Sequence, residues 1–256
     1  MFEESALNYI SSKELEEQRQ KWNLLRNCPE TTSWNDWLTS LAGNQTISNQ
    51  ALVNLAIEQE ANATESSRWL EASILQLRMD SAVLAQTHEL LAHYDQDARV
   101  IGAMIATDIN QCSQIDASAK QQCFETLIEA YEEEPSVYAK TWLIVAITSF
   151  KTSLSVDFML QHADSEQDVI RMTIADVLLS NRPQLDHMNQ ETTLAVLKLA
   201  ADPSPTVAWN ILWEIAEYPH LFRHAQKPIV EVAKAQIHSS DEQLSEIATR
   251  VVEVLS

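Results

Sequence analysis

In "DVIRMTIADVLLS", Asp168 to Ser180, the apolar residues Ile170, Ile174, Val177 and Leu178 keep the i, i+4, i+7, i+8 spacing of one helical face. Sliding this pattern along the chain finds it again at Val207, Ile211 and Ile215, and at Leu244, Ala248, Val251 and Val252. Upstream it falls on Val137, Thr141, Ile144 and Val145, on Ala98, Gly102, Ile105 and Ala106, and more weakly on Ser67, Ala72, Ile74 and Leu75. The first positions are 67, 98, 137, 170, 207 and 244, so the steps are 31, 39, 33, 37 and 37. A second helical stretch precedes each copy: "NQALVNLAIEQ", "SAVLAQTHELLAHY", "AKQQCFETLIEAY", "VDFMLQH", "QETTLAVLKLA" and "KPIVEVAKAQI". Between them lie acids, serines and prolines, as in Asp95-Gln96-Asp97, Glu134-Pro135-Ser136 and Asp202-Pro203-Ser204-Pro205. Such residues suit helix starts, where exposed N–H groups and the helix dipole favour them.

The pattern predicts a helix–turn–helix unit of about 30–40 residues, repeated about six times. Such units cannot bury their apolar faces alone and stack into a solenoid. The expected fold is all-α, a right-handed α-solenoid forming one domain over residues 1–256. Residues 44–256 form the repeats. Residues 1–43, with Trp22, Trp34 and Trp37, are helical but off the pattern and are expected to cap the stack. Together with the charged last helix, this cap opposes end-to-end growth and predicts a monomer.

"YDQDARVIGAMIA" and "SEQDVIRMTIADVLL" resemble the second helix of HEAT-like repeats, with an acid or proline, an apolar–Arg pair, and then small and large apolar residues. Arg99 and Arg171 stand at the Arg position. Tyr138, Ala208 and Ser245 replace it in other copies, where only the spacing carries the likeness. The resemblance covers roughly residues 45–256. It implies an α-solenoid that binds other macromolecules along a curved groove. Some HEAT-like relatives are enzymes, including a DNA glycosylase family and bilin lyases.

Composition narrows the chemistry. Gly43 and Gly102 are the two glycines. Two cannot build a dinucleotide fingerprint or a phosphate-cradling loop, so Rossmann, P-loop and kinase readings fall away. The net charge is −20. A polyanion repels nucleic acid phosphates and anionic membranes and suits a basic protein partner. No nucleic-acid or membrane partner is therefore expected. Cys28, Cys112 and Cys123 are odd in number and form no CxxC, so free thiols in a reducing cytoplasm are expected rather than disulfides or zinc. The start, "MFEESALNYI", lacks a basic segment followed by an apolar one, which argues against a signal peptide. The strongly apolar run Trp142 to Ile147 is too short to span a bilayer.

Trp209 and Trp213 lie four apart in "DPSPTVAWNILWEIAEYP". The polar residues of that helix, Asn210, Glu214 and Glu217, form a narrow stripe and the rest is apolar. This predicts a helix packed between neighbours, with both Trp in the core or at its rim. The alternative is that their column faces a groove. That column collects Trp69, Met104, Met172, Asp176, Trp209, Trp213 and Glu217, an aromatic, Met-containing and acidic lining suited to a protein interface. Periodicity leaves the two open.

Other groupings carry less. His220 and His224 are four apart but lack two further ligands or an HExxH motif, and His88 and His93 fall on different faces, so no metal or other cofactor is expected. "YEEEP", Tyr131 to Pro135, reads as a solvated turn that caps the next helix, or as a contact for a partner's Lys or Arg. The expectation is a non-enzymatic binding module or scaffold with a concave acidic and aromatic groove, an inhibitor or immunity-type protein for a basic partner being one form. The alternatives are a HEAT-like enzyme and a structural assembly subunit. The glycosylase relatives pair groove Trp residues and an Asp with a strongly basic surface, which this chain lacks.

Overall fold

The structure is a computed structural model, and it describes residues 11–26, 33–61, 70–180 and 190–256. Among these residues it is all-α, with fourteen α-helices and no strand. They divide into two compact units, Met1–Phe150 and Lys151–Ser256.

The first unit contains α1 (Ser12–Leu25), α2 (Trp34–Gly43), α3 (Asn49–Ala61), α4 (Leu70–Leu77), α5 (Ser81–Leu91), α6 (Gln96–Ala106), α7 (Ala117–Glu133) and α8 (Val137–Ser149). A short 3-10 turn, Ile109–Gln111, follows α6. Helix α3 packs on α4, α5 on α6 and α7 on α8, while α4, α6 and α8 also contact in succession. The caps follow the sequence. Asp80, Asp95, Asp116 and Ser136 each accept from a backbone N–H in the first turn of the helix they precede.

Helix α6 is the centre of this unit. Ala98 and Val100 to Ala106 are all buried, because α3, α4, α5 and α8 surround it. Gly102 makes the closest of these packings possible. A Cβ there would lie 2.9 Å from Leu90 Cβ and 3.0 Å from the Leu91 backbone nitrogen. We expect Gly102→Ala to destabilise the protein by about 1–3 kcal/mol, since α5 must retreat. Better helix propensity offsets only about 1 kcal/mol of strain. A urea titration followed by circular dichroism checks this, and an unchanged or raised midpoint would contradict it.

At the other end of the unit, one residue anchors α1. Trp22 is its buried residue, and the indole Nε1–H donates to Glu71 Oε1 of α4 at 2.5 Å. Arg19 adds two bonds to Glu58 of α3, at 2.8 and 2.6 Å. Helix α2 buries Trp37, whose ring lies 4.9 Å from that of the exposed Trp34. Arg78 gathers the carbonyls of Leu41, Ala42, Asn44 and Ile47, at the end of α2 and in the turn that follows it.

The second unit contains α9 (Ser153–His162), α10 (Asp168–Ser180), α11 (Gln190–Ala200), α12 (Pro205–Glu217), α13 (Gln226–Gln236) and α14 (Glu242–Leu255), with a 3-10 segment at Pro219–Ala225. Here α9 packs on α10, α11 on α12 and α13 on α14, while α10, α12 and α14 contact in succession, as do α9, α11 and α13. Pro205 begins α12, where a missing N–H costs nothing.

The same ion pair occurs once in each unit. In the first, Arg99 binds both oxygens of Glu134, Nε to Oε2 at 2.6 Å and Nη2 to Oε1 at 2.9 Å. Its Nη1 donates to the carbonyls of His93 and Tyr94, and Glu134 Oε1 also accepts from the Ser136 amide. In the second, Arg171 binds both oxygens of Asp202 at 2.7 and 2.9 Å. Its Nη1 donates to the carbonyls of Ser165 and Glu166, and Asp202 Oδ1 accepts from the Ser204 amide. The carbonyls taken lie six and five residues before each Arg.

Glu134 therefore differs from its sequence reading. Glu132 and Glu133 are exposed, but the Glu134 side chain is fully buried. It is neither a solvated turn residue nor available to a partner. The side chain that caps α8 is that of Ser136, just beyond "YEEEP" rather than within it.

Candidate functional site

Helix α12 places its two tryptophans through i, i+4 spacing. The rings stack at 6.2 Å between centroids with planes 22° apart. Trp209 is half-buried and Trp213 is 36% exposed, so the pair sits at the rim of the core with the Trp213 ring reaching solvent. The rest of the helix supplies the core, with Val207, Ala208, Ile211, Leu212, Ile215 and Ala216 buried.

Helix α10 meets this face from the side. Its Asp176 accepts a hydrogen bond at Oδ1 from Asn210 Nδ2, 2.9 Å away. Asn210 and Glu214 run along α12 beside the Trp pair, at one residue's offset. Asp176 keeps a solvent-exposed edge. Even so, the protein around it, and then the Glu214 carboxylate, push its carboxyl above the ordinary aspartate value. Met172, one turn earlier on α10, is half-exposed. Glu217, one turn beyond Trp213, bonds Arg250 of α14 at 2.6 Å, with both side chains partly exposed.

Of the predicted column, Met172 and Asp176 lie on α10 and Trp209, Trp213 and Glu217 on α12, two helices in contact. Met104 stands apart. It shares their register but is buried in α6, 2% exposed, and offers no surface. Trp69 lies outside the described residues. Asn210, Glu214 and Arg250 were not singled out from the sequence as site residues. Asn210 and Glu214 were read only as a polar stripe, and position 250 follows from the 37-residue step only once the faces are known.

Elsewhere in the second unit, an open cleft of about 540 Å³ lies between α9 and α11. Leu160, Ala163, Leu194 and Ala195 line it, and Asp164 pairs with Lys198 at its edge. His224 Nε2 lies 3.4 Å from Thr193 Oγ1, a side-chain hydroxyl. Among the described residues, no group of three or more His, Cys, Asp and Glu side chains is placed to hold a metal ion, and no helix is long and apolar enough to cross a membrane. Cys123 is buried, and burial pushes its thiol up to about 12. Cys112 is half-buried with its Sγ 3.4 Å from the Met79 carbonyl. Cys28 lies outside the described residues.

No protein-family model matches the chain. No curated protein matches it either. Chains of known structure do, among them the crystal structure of an engineered protein, with a TM-score of 0.52 at 15% identity, covering 85% of this chain and 96% of that one. At that identity the likeness is one of fold, an all-helical arrangement of packed helices.

Proposed function

We propose that the protein is a non-enzymatic, HEAT-like binding module, and that the α10–α12 face receives a basic segment of a partner protein. The observation that carries this reading is the stacked, partly exposed Trp209–Trp213 pair beside Asp176 and Glu214. The Glu214 carboxylate adds to the burial that raises the proton affinity of Asp176, and a cation approaching there is favoured. An exposed indole face attracts the same charge through its quadrupole. A net charge of −20 steers a basic partner toward the chain from a distance.

The HEAT-like assignment draws support from the helix packing. Within each unit, consecutive helices pair, and the second helices of successive pairs contact one another. The recurrence of the Arg99–Glu134 arrangement as Arg171–Asp202 supports it further, since the Arg falls at the repeat position resembled in sequence. On this reading α10, α12 and α14 are the second helices of three successive repeats.

Titration with a basic peptide, followed by tryptophan fluorescence and calorimetry at low and high salt, tests the proposal. Binding is expected at low salt and to weaken at high salt. Trp213→Ala should reduce affinity about tenfold or more, as loss of an interface anchor does. Asp176→Asn should flatten the salt dependence. Equal binding by wild type and both variants would refute the assignment of this face.

A further inference from the structure

We propose that the residue this face selects is arginine, with its guanidinium plane laid on the exposed Trp213 ring and its N–H groups directed to the Asp176 and Glu214 carboxylates. This rests on the proposed function above and specifies its ligand.

The first argument is shape. Trp209 and Trp213 present nearly parallel rings, 22° apart, and the outer one reaches solvent. A planar guanidinium stacks on such a face, whereas an ammonium group touches it as a point charge. The second is orientation. The Asn210 amide donates to Asp176 Oδ1 at 2.9 Å, which orients the carboxylate along α12. A carboxylate accepts about four hydrogen bonds, and an oriented one suits the rigid fork of a guanidinium.

The third argument is hydration. The protein around Asp176 already disfavours its charged form. A cation joining it sheds water, and guanidinium is the more weakly hydrated of the two basic groups. The fourth is a precedent within the chain. One turn beyond Trp213, Arg250 of α14 places its own guanidinium 2.6 Å from Glu217 Oε1. The same face of α12 therefore already holds an arginine at a carboxylate, supplied in cis.

Hexa-arginine, hexa-lysine and hexa-citrulline separate the possibilities. The first two carry the same charge, and citrulline keeps the side-chain shape without it. Hexa-arginine should bind about tenfold tighter than hexa-lysine, and hexa-citrulline more weakly than either. The arginine preference should vanish in Trp213→Ala and shrink in the isosteric Asp176→Asn, which keeps the measurement decisive if the larger truncation perturbs folding. Equal affinity for the arginine and lysine peptides, or a preference unchanged in both variants, would overturn the inference while leaving a basic partner in place. Failure of both cationic peptides to bind at low salt would overturn the functional reading itself.

Discussion

Arg99→Ala is expected to cost about 3–5 kcal/mol of stability, the loss typical of removing one partner from a buried ion pair. The Arg99 side chain is 16% exposed and that of Glu134 not at all. The intact pair need not be strongly stabilising, because both charges have left water. The damage lies in what remains. Without Arg99, a fully buried carboxylate keeps only its bond from the Ser136 amide, and the His93 and Tyr94 carbonyls lose a donor. Replacing both partners by apolar residues, as in Arg99→Met with Glu134→Leu, should recover most of the loss. A double variant no more stable than Arg99→Ala would contradict this account. Arg171→Ala should behave alike, since Asp202 is similarly buried.

The pH dependence distinguishes a charge effect from lost packing. Burial raises the Glu134 carboxyl, but the hydrogen bond from Arg99, the Ser136 amide and the positive charges of Arg99 and Lys140 together bring it below the ordinary glutamate value. Asp202 is likewise held low, with burial opposed by Arg171 and the Ser204 amide. Groups depressed on folding contribute stability that is present above the ordinary carboxylate range of about pH 4, and it is lost as pH falls through their folded values. In Arg99→Ala burial dominates and the Glu134 carboxyl rises instead. The variant's folded state then binds the proton more tightly than its unfolded state. Its deficit relative to wild type should shrink as pH falls from 7 toward about 5. Urea midpoints across that range measure it, and a constant deficit would assign the effect to packing alone.

Trp22→Ala is the second large expectation, at about 3–5 kcal/mol for a buried tryptophan reduced to alanine. Helix α1 has no other buried side chain, so its docking rests on this ring, the Nε1–Glu71 bond and the Arg19–Glu58 pair. The last is partly exposed, and pairs of that kind contribute little. Hydrogen exchange over residues 12–25 should therefore lose its protection, while α6, closed on all sides, should change least. Trp22→Phe keeps most of the packing and loses the bond to buried Glu71, so its cost should fall between wild type and alanine. Retained protection of α1 in the alanine variant would show that other contacts hold it.

Helix positions were largely legible because the apolar spacing is local. The stretch at Asp168–Ser180 and its copies at 98, 137, 207 and 244 all fall within helices, and Asp95, Ser136 and Asp241 cap the copies they precede, while Ser204 makes no side-chain cap bond. The Trp209–Trp213 neighbourhood was legible too, since i, i+4 residues share a face in any helix. Asp176 was reached through the 37-residue step that aligns it with Trp213.

What the order of residues could not decide is which side of a helix its neighbours cover. Met104 and Asp176 hold the same register position, yet α6 is enclosed by four helices while α10 keeps an edge in solvent. Three successive glutamates in "YEEEP" are chemically alike, and only the position of Arg99, thirty-five residues earlier, draws the last of them inward. Gly102 reads as a weak helix residue until the backbone of α5 is seen against it. Helix formation depends on bonds within a few residues of one another, so the sequence by itself determined the elements, their caps and the all-α class. Burial, ion pairing and the assembly of the α10–α12 face depend on residues thirty or more positions apart, and those only the tertiary structure decided.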